Sequence, residues 1–158
     1  MIKYLVFILV VLFSQIEGQQ IIHTETHKNG GIKLISYHKM VDGGMGISLL
    51  KEETYDLNGR KSSESYYKNG KLNGLVTGWS LNGKKGYEGK YNDGKQDGLW
   101  TEWSENGQKK RVESYNDGKQ DGLSTYWYKN GQKSSEKTYK DGKFISKKEW
   151  NEDGSVKE

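Results

Sequence analysis

The sequence predicts an all-β protein, an elongated single-layer antiparallel meander of stacked β-hairpins with a period of 24 residues, preceded by a signal peptide. Three observations predict it. Asn-Gly or Asp-Gly pairs recur at short, regular spacing, and these are strong hairpin signals because both residues tolerate positive φ. Between them lie β-favouring residues in alternation. Composition is the third: only 32% of residues are hydrophobic and mean hydropathy is -0.98, yet there are 5 Trp, 11 Tyr and 21 Gly with no Pro. A thick oily core is hard to build from that, whereas aromatic strands joined by glycine turns suit it. The aromatic content also speaks against a disordered chain.

Residues 1–18, MIKYLVFILVVLFSQIEG, carry Lys3 and then an apolar run from Tyr4 to Phe13. That run is shorter than the roughly 20 residues of a membrane-spanning helix and fits a secretory signal, with cleavage after Gly18 or nearer Ser14. With no Cys to carry a lipid, the mature chain is expected to be released, in a periplasm or outside the cell; an uncleaved anchor is the alternative. Residues 19–54 hold a degenerate first repeat or an irregular stretch, with Asn29-Gly30 and Asp42-Gly43 as traces of the pattern.

The regular repeat spans residues 55–154. Its glycines are Gly59, Gly70, Gly83, Gly94, Gly107, Gly118, Gly131 and Gly142, each preceded by Asn or Asp. Side chains alternate along a strand, so Leu75, Thr77 and Trp79 share a face, as do Leu99, Thr101 and Trp103, and then Leu123, Thr125 and Trp127. This column is constant. The opposite one varies: Val76, Gly78 and Ser80; Trp100, Glu102 and Ser104; Ser124, Tyr126 and Tyr128. Return strands end on Tyr67, Tyr91, Tyr115 and Tyr139. Trp79, Trp103, Trp127 and these tyrosines are expected to be structural, stacking along the sheet with each ring covering the next repeat's Leu or Gly. Gly74, Gly98 and Gly122 make room for a ring or for a bend. Near the end Ser146 replaces the expected Gly and Trp150 falls one residue early, which reads as a cap on the final edge; residues 155–158 are a tail.

The stretch YNDGKQDGLWTEWSENGQKKRVESYNDGKQDG resembles the variant form of the MORN repeat, whose units read as a Tyr turn, a DGK-x-DG step, an aromatic and an NG-x-K turn. The resemblance covers Tyr55 to about Gly154. It implies a single-layer sheet of stacked hairpins and a non-enzymatic binding role. Bacterial proteins of this kind are commonly grouped as antitoxins of toxin-antitoxin systems, while MORN repeats elsewhere are associated with membranes and protein assembly, which implies a scaffold.

The residues themselves offer little chemistry. His23, His27 and His38 are the only imidazoles and there is no Cys nucleophile. His23 and His27 lie four apart but lack a third metal ligand at suitable spacing. Asp93 to Gly98 and Asp117 to Gly122 have the look of calcium loops, yet Lys95 and Lys119 interrupt them and no distal Glu follows, so Asp supporting its own turn is the better reading. No phosphate-cradling motif occurs, and no cofactor is expected. The formal net charge is +4, unchanged by loss of Lys3 and Glu17 with the signal, and both signs are interspersed, which argues against nucleic-acid binding. The expected role is a protein-interaction module whose contacts include Trp100, Glu102, Tyr126 and Tyr128. An antitoxin partner, cell-wall glycan stacking on the aromatics, and an anionic membrane surface meeting Lys109, Lys110, Lys147 and Lys148 are the alternatives.

Overall fold

The glycine pairs divide into two kinds of turn, and the division builds the sheet. At residues 69–70, 93–94, 117–118 and 141–142 both central residues have positive φ, for example 49° at Asp93 and 84° at Gly94. These are two-residue hairpin loops whose twist matches that of the flanking strands. The other pairs sit in five-residue loops where only glycine has positive φ. In residues 80–84 the Ser80 N–H donates to the Lys84 carbonyl at 2.9 Å and the Gly83 N–H to the Ser80 carbonyl at 2.8 Å. The same loop recurs at residues 27–31 and 151–155.

A computed structural model describes residues 20–41 and 46–158; the predicted signal peptide and Asp42-Gly43 lie outside them. Among the described residues there are thirteen strands and no helix: β1 (Gln20–Thr26), β2 (Ile32–Met40), β3 (Ile47–Tyr55), β4 (Lys61–Lys68), β5 (Lys71–Trp79), β6 (Lys85–Asn92), β7 (Lys95–Gln96), β8 (Gly98–Trp103), β9 (Lys109–Asn116), β10 (Lys119–Gln120), β11 (Gly122–Trp127), β12 (Lys133–Lys140) and β13 (Lys143–Glu149). All belong to one antiparallel sheet in chain order, with β7 and β10 as short pairings on β6 and β9. Residues 20–55 thus supply three strands of the same sheet, and Val156 bridges back to Trp150.

Successive repeats are also joined at their turns. The N–H groups of Gly94, Gly118 and Gly142 donate to the carbonyls of Leu72, Gln96 and Gln120, one repeat earlier, at 2.8–2.9 Å. At the other end Asn82 and Asn130 donate to the carbonyls of Glu105 and Glu152, both at 2.7 Å.

Gly74, Gly98 and Gly122 have φ of 120°, 80° and 107°, so they make a bend. The effect shows between β4 and β5, where Ser65 pairs with Val76 but Tyr67 with Leu72, two residues out of step. In β13 Thr138 pairs with Ser146 and Tyr139 with Phe144, a shift of only one. By this register Ser146 occupies the Leu position of the earlier repeats, and the single Ile145 stands in for their Asn-Gly or Asp-Gly step. Trp150 therefore comes one residue early in sequence but in place in space: Lys133 lies over its ring at 5.8 Å, as Lys61 lies over Trp79 at 5.9 Å.

Cross-strand partners share a face, so the pairing assigns every column. Gly74 pairs with Tyr91, Gly98 with Tyr115 and Gly122 with Tyr139, which puts these tyrosines on the front face with Val76, Trp100 and Ser124. Trp79, Trp103 and Trp127 pair with Lys85, Lys109 and Lys133 on the back. The Trp and Tyr columns therefore lie on opposite faces, because hairpin partners are set by register and the return tyrosine stands opposite glycine. The expectation that each ring covers the next repeat's Leu is corrected: Leu75, Leu99 and Leu123 are 43%, 65% and 49% exposed.

A bulge precedes each tryptophan, between residues 78 and 79, 102 and 103, and 126 and 127. The extra residue on the return strand brings side chains three apart onto one face, so Lys61 meets Glu64, Lys85 meets Glu88 and Lys133 meets Glu136. On the back of the sheet Lys61, Lys85, Lys109 and Lys133 accordingly alternate, strand by strand, with Trp79, Trp103, Trp127 and Trp150.

Val76 is the only buried large apolar side chain among the described residues; the others buried include Ser36, Thr77, Ser124, Thr125 and Ser135, with Glu53 and Glu113. Glu53 accepts hydrogen bonds on the back face from Tyr37 (2.9 Å), Tyr55 (3.0 Å) and Lys61, and pairs with Lys51 at 2.8 Å. Burial pushes its carboxyl up, but these donors outweigh burial and hold it well below the usual carboxylate range.

Two outcomes follow from this register and this buried acid. Gly98→Ala and Gly122→Ala, which place a Cβ at positive φ, should each lose about 1–2 kcal/mol in urea unfolding, whereas Ser146→Ala should change little. Glu53→Gln should lose about 2 kcal/mol near neutral pH by leaving two lysines underpaired. Because the folded-state pKa is depressed, this contribution is present above the ordinary value of 4.5 and is lost as pH falls. Urea melts at pH 7 and pH 3 should show the gap between wild type and Glu53→Gln narrowing.

Candidate interaction surface on the front face

One front-face column reads Val76, Trp100, Ser124 at successive repeats, and the tryptophan changes its surroundings. The indole lies directly on Gly89, where an added Cβ would fall within the ring, and Tyr87 lies in the same way on Gly78. Glycine is required at both places by the close approach of a ring to the strand. The Trp100 indole N–H donates to the Lys90 carbonyl at 3.2 Å. Its ring is nearly parallel to Tyr87, with centroids 6.4 Å apart and planes at 13°, and edge-on to Tyr91 at 5.3 Å and 89°.

Beside the rings runs a charged network. Glu102 receives Lys110 and Arg111, both at 2.6 Å, and Arg111 reaches Glu113 at 3.5 Å. Glu113 also accepts from Tyr126 (2.7 Å), Tyr115 (3.1 Å) and Gln120 (3.2 Å). Burial raises the Glu102 carboxyl, but Lys110 and Arg111 bring it below its ordinary value; burial and then the Glu113 carboxylate push the Tyr126 phenol well up. Rings and network together line a groove of about 610 Å³ that reaches from Leu72 and Val76 to Arg111, Glu113 and Tyr115.

The structure brings Trp100, Glu102 and Tyr126 together on the front face, the first two lining the groove and Tyr126 joined to it through Glu113. Tyr128 stands apart at a hairpin end, where its hydroxyl donates to the Trp150 carbonyl at 2.8 Å. Among the tyrosines read as structural, Tyr91 and Tyr115 line the groove, Tyr67 donates to Glu52 at 2.6 Å, and Tyr139 packs edge-on against Phe144 at 5.9 Å. Tyr87, Arg111 and Glu113 were not singled out from the sequence. Their signal is a departure from the repeat: Tyr87 and Gly89 stand where neighbouring return strands carry Ser63 and Ser65, or Arg111 and Glu113.

The histidines are engaged separately. His27 is 3.0 Å from the Tyr55 carbonyl oxygen, and His38 is 3.0 Å from the Ser36 hydroxyl. Asp93 and Asp117 meet Lys71 and Lys95 of the preceding repeat at 2.9 and 2.7 Å. Among the described residues no group of three or more His, Cys, Asp or Glu is placed to hold a metal ion, and the sequence has no cysteine.

A family model of the MORN repeat variant matches residues 96–117 and 120–141. The two matched segments begin on β7 and β10 and each takes in the positive-φ glycine, the tryptophan and the return tyrosine or its approach, consistent with a MORN-variant repeat protein. A search of curated proteins found no match to the chain.

Gly89→Ala should expel the Trp100 ring from the sheet. The near-ultraviolet circular dichroism of the coupled Tyr87, Tyr91 and Trp100 rings should then diminish while the far-ultraviolet β signature stays. An unchanged aromatic signal would contradict the contact.

Proposed function

We propose that the chain is an exported protein-interaction module that engages a protein partner through the front-face groove. One observation carries the reading. In the repeat where the variable column holds Trp100, three aromatic rings and a network of Arg111, Glu102 and Glu113 converge on a single groove. Trp, Tyr and Arg dominate the energetics of protein interfaces because they combine large contact area with directional hydrogen bonds. Here the rings are held by neighbouring strands and the charges are already paired, so little order remains to be imposed on binding. The apolar run of residues 4–13 supports export, and an antitoxin-type role would make the partner a toxin.

Glycan binding is a second reading, favoured by the near-parallel Tyr87 and Trp100 rings, whose flat faces suit the apolar side of a sugar. Saturable capture of a protein by the immobilised chain, weakened at least about tenfold by Trp100→Ala, is the expected result for the first reading. Capture that ignores Trp100→Ala would remove the groove from it. Sedimentation with purified cell wall that depends on Trp100 would favour the second.

A further inference from the structure

The back face carries a pattern with one interruption. In the alternating lysine and tryptophan row, Lys61 is paired with Glu53 and Glu64, Lys85 with Glu88, and Lys133 with Glu136. Lys109 faces Val112 in the place of that glutamate, and among the described residues it makes no ion pair; its side chain is exposed. It lies between Trp103, its cross-strand partner, and Trp127 on the following strand, both half-buried. The row thus offers apolar ring surface at regular intervals, and of the four lysines that alternate with the rings Lys109 alone has no ion pair among the described residues.

We propose that this row, on the face opposite the Trp100 ring, is a docking track for an extended polyproline-type segment of a partner protein that places an acidic side chain at Lys109. Spacing supports the conformation. Trp103 and Trp127 are two strands apart, about 9.6 Å at the usual strand separation, and a polyproline helix repeats every three residues, about 9.3 Å. A segment lying across the strands presents the same side to each gap between tryptophans, and its proline rings pack on indoles without costly ordering. Charge identifies the register, since Lys109 is the row's one lysine left for a carboxylate. An anionic membrane is the poorer fit: Lys109, with Lys90 and Lys148 elsewhere on this face, contributes only about 1 kcal/mol per lysine to adsorption, against the carboxylates already paired along the row.

The test uses fluorescent nine-residue oligoproline probes with a central Glu or a central Lys, titrated with the full chain. The acidic probe should bind up to about fivefold more tightly than the basic one. Lys109→Ala should abolish that preference. Val112→Glu should abolish it too, by supplying the glutamate that the other repeats carry, and circular dichroism checks that its sheet is intact. Trp103→Ala should weaken both probes. Trp100→Ala on the opposite face should leave the preference unchanged, so failure of the groove reading and failure of this one are distinguishable. No saturable binding of either probe, equal affinity for both, or a preference that survives in Val112→Glu would overturn the proposal. So would binding of an oligouronate in place of the oligoprolines.

Discussion

Register is the constraint on which the sheet depends, because side chains alternate faces and a slip of one residue would carry each column to the wrong side. A sheet packed against a helical layer is held in step by its buried face. This sheet, with Val76 as its one buried large apolar residue among those described, lacks that control. Positive-φ positions replace it. The two-residue loops accept only residues that tolerate left-handed backbone, and the bends at Gly74, Gly98 and Gly122 set a fixed two-residue step. The last repeat shows that the step is the controlled quantity. One residue is lost there, the bulge shrinks by one, and Trp150 returns to the row.

With register set by turns, the faces are free to hold polar matter that an oily core would exclude. Glu53 and Glu113 are both buried, on opposite faces, and each collects several donors from neighbouring strands. Such clusters tolerate burial because their acceptors are satisfied. They also tie together strands that belong to different repeats: Tyr126 of β11 reaches Glu113 of β9, and Tyr37 of β2 reaches Glu53 of β3. Thr77 and Thr125 are buried although the described strands form a single sheet with no second layer among the described residues.

The strand-turn pattern was legible because its causes are local. Asn69-Gly70 or Asp93-Gly94 needs no distant partner to form a turn, and the even period keeps Trp79, Trp103 and Trp127 on one side. The groove was legible only in part. Trp100 and Glu102 stood out as variable residues, but Tyr87, Arg111 and Glu113 enter from the return strands, Arg111 and Glu113 by the register of β8 on β9 and Tyr87 by that of β6 on β8. Tyr128 shows the limit from the other direction: a variable position whose hydroxyl is occupied by the backbone of the last repeat.

The sequence by itself determined that this is an antiparallel β meander, where its turns fall and which residues along one strand share a side, since these follow from backbone preferences and a two-residue alternation. Only the tertiary structure decided that the tyrosine and tryptophan columns lie on opposite faces, that Glu53 and Glu113 are buried network centres, and that Lys109 is left without an acid. Those depend on bulges that shift one strand against the next, and a bulge is a property of a strand pair that neither strand reveals alone.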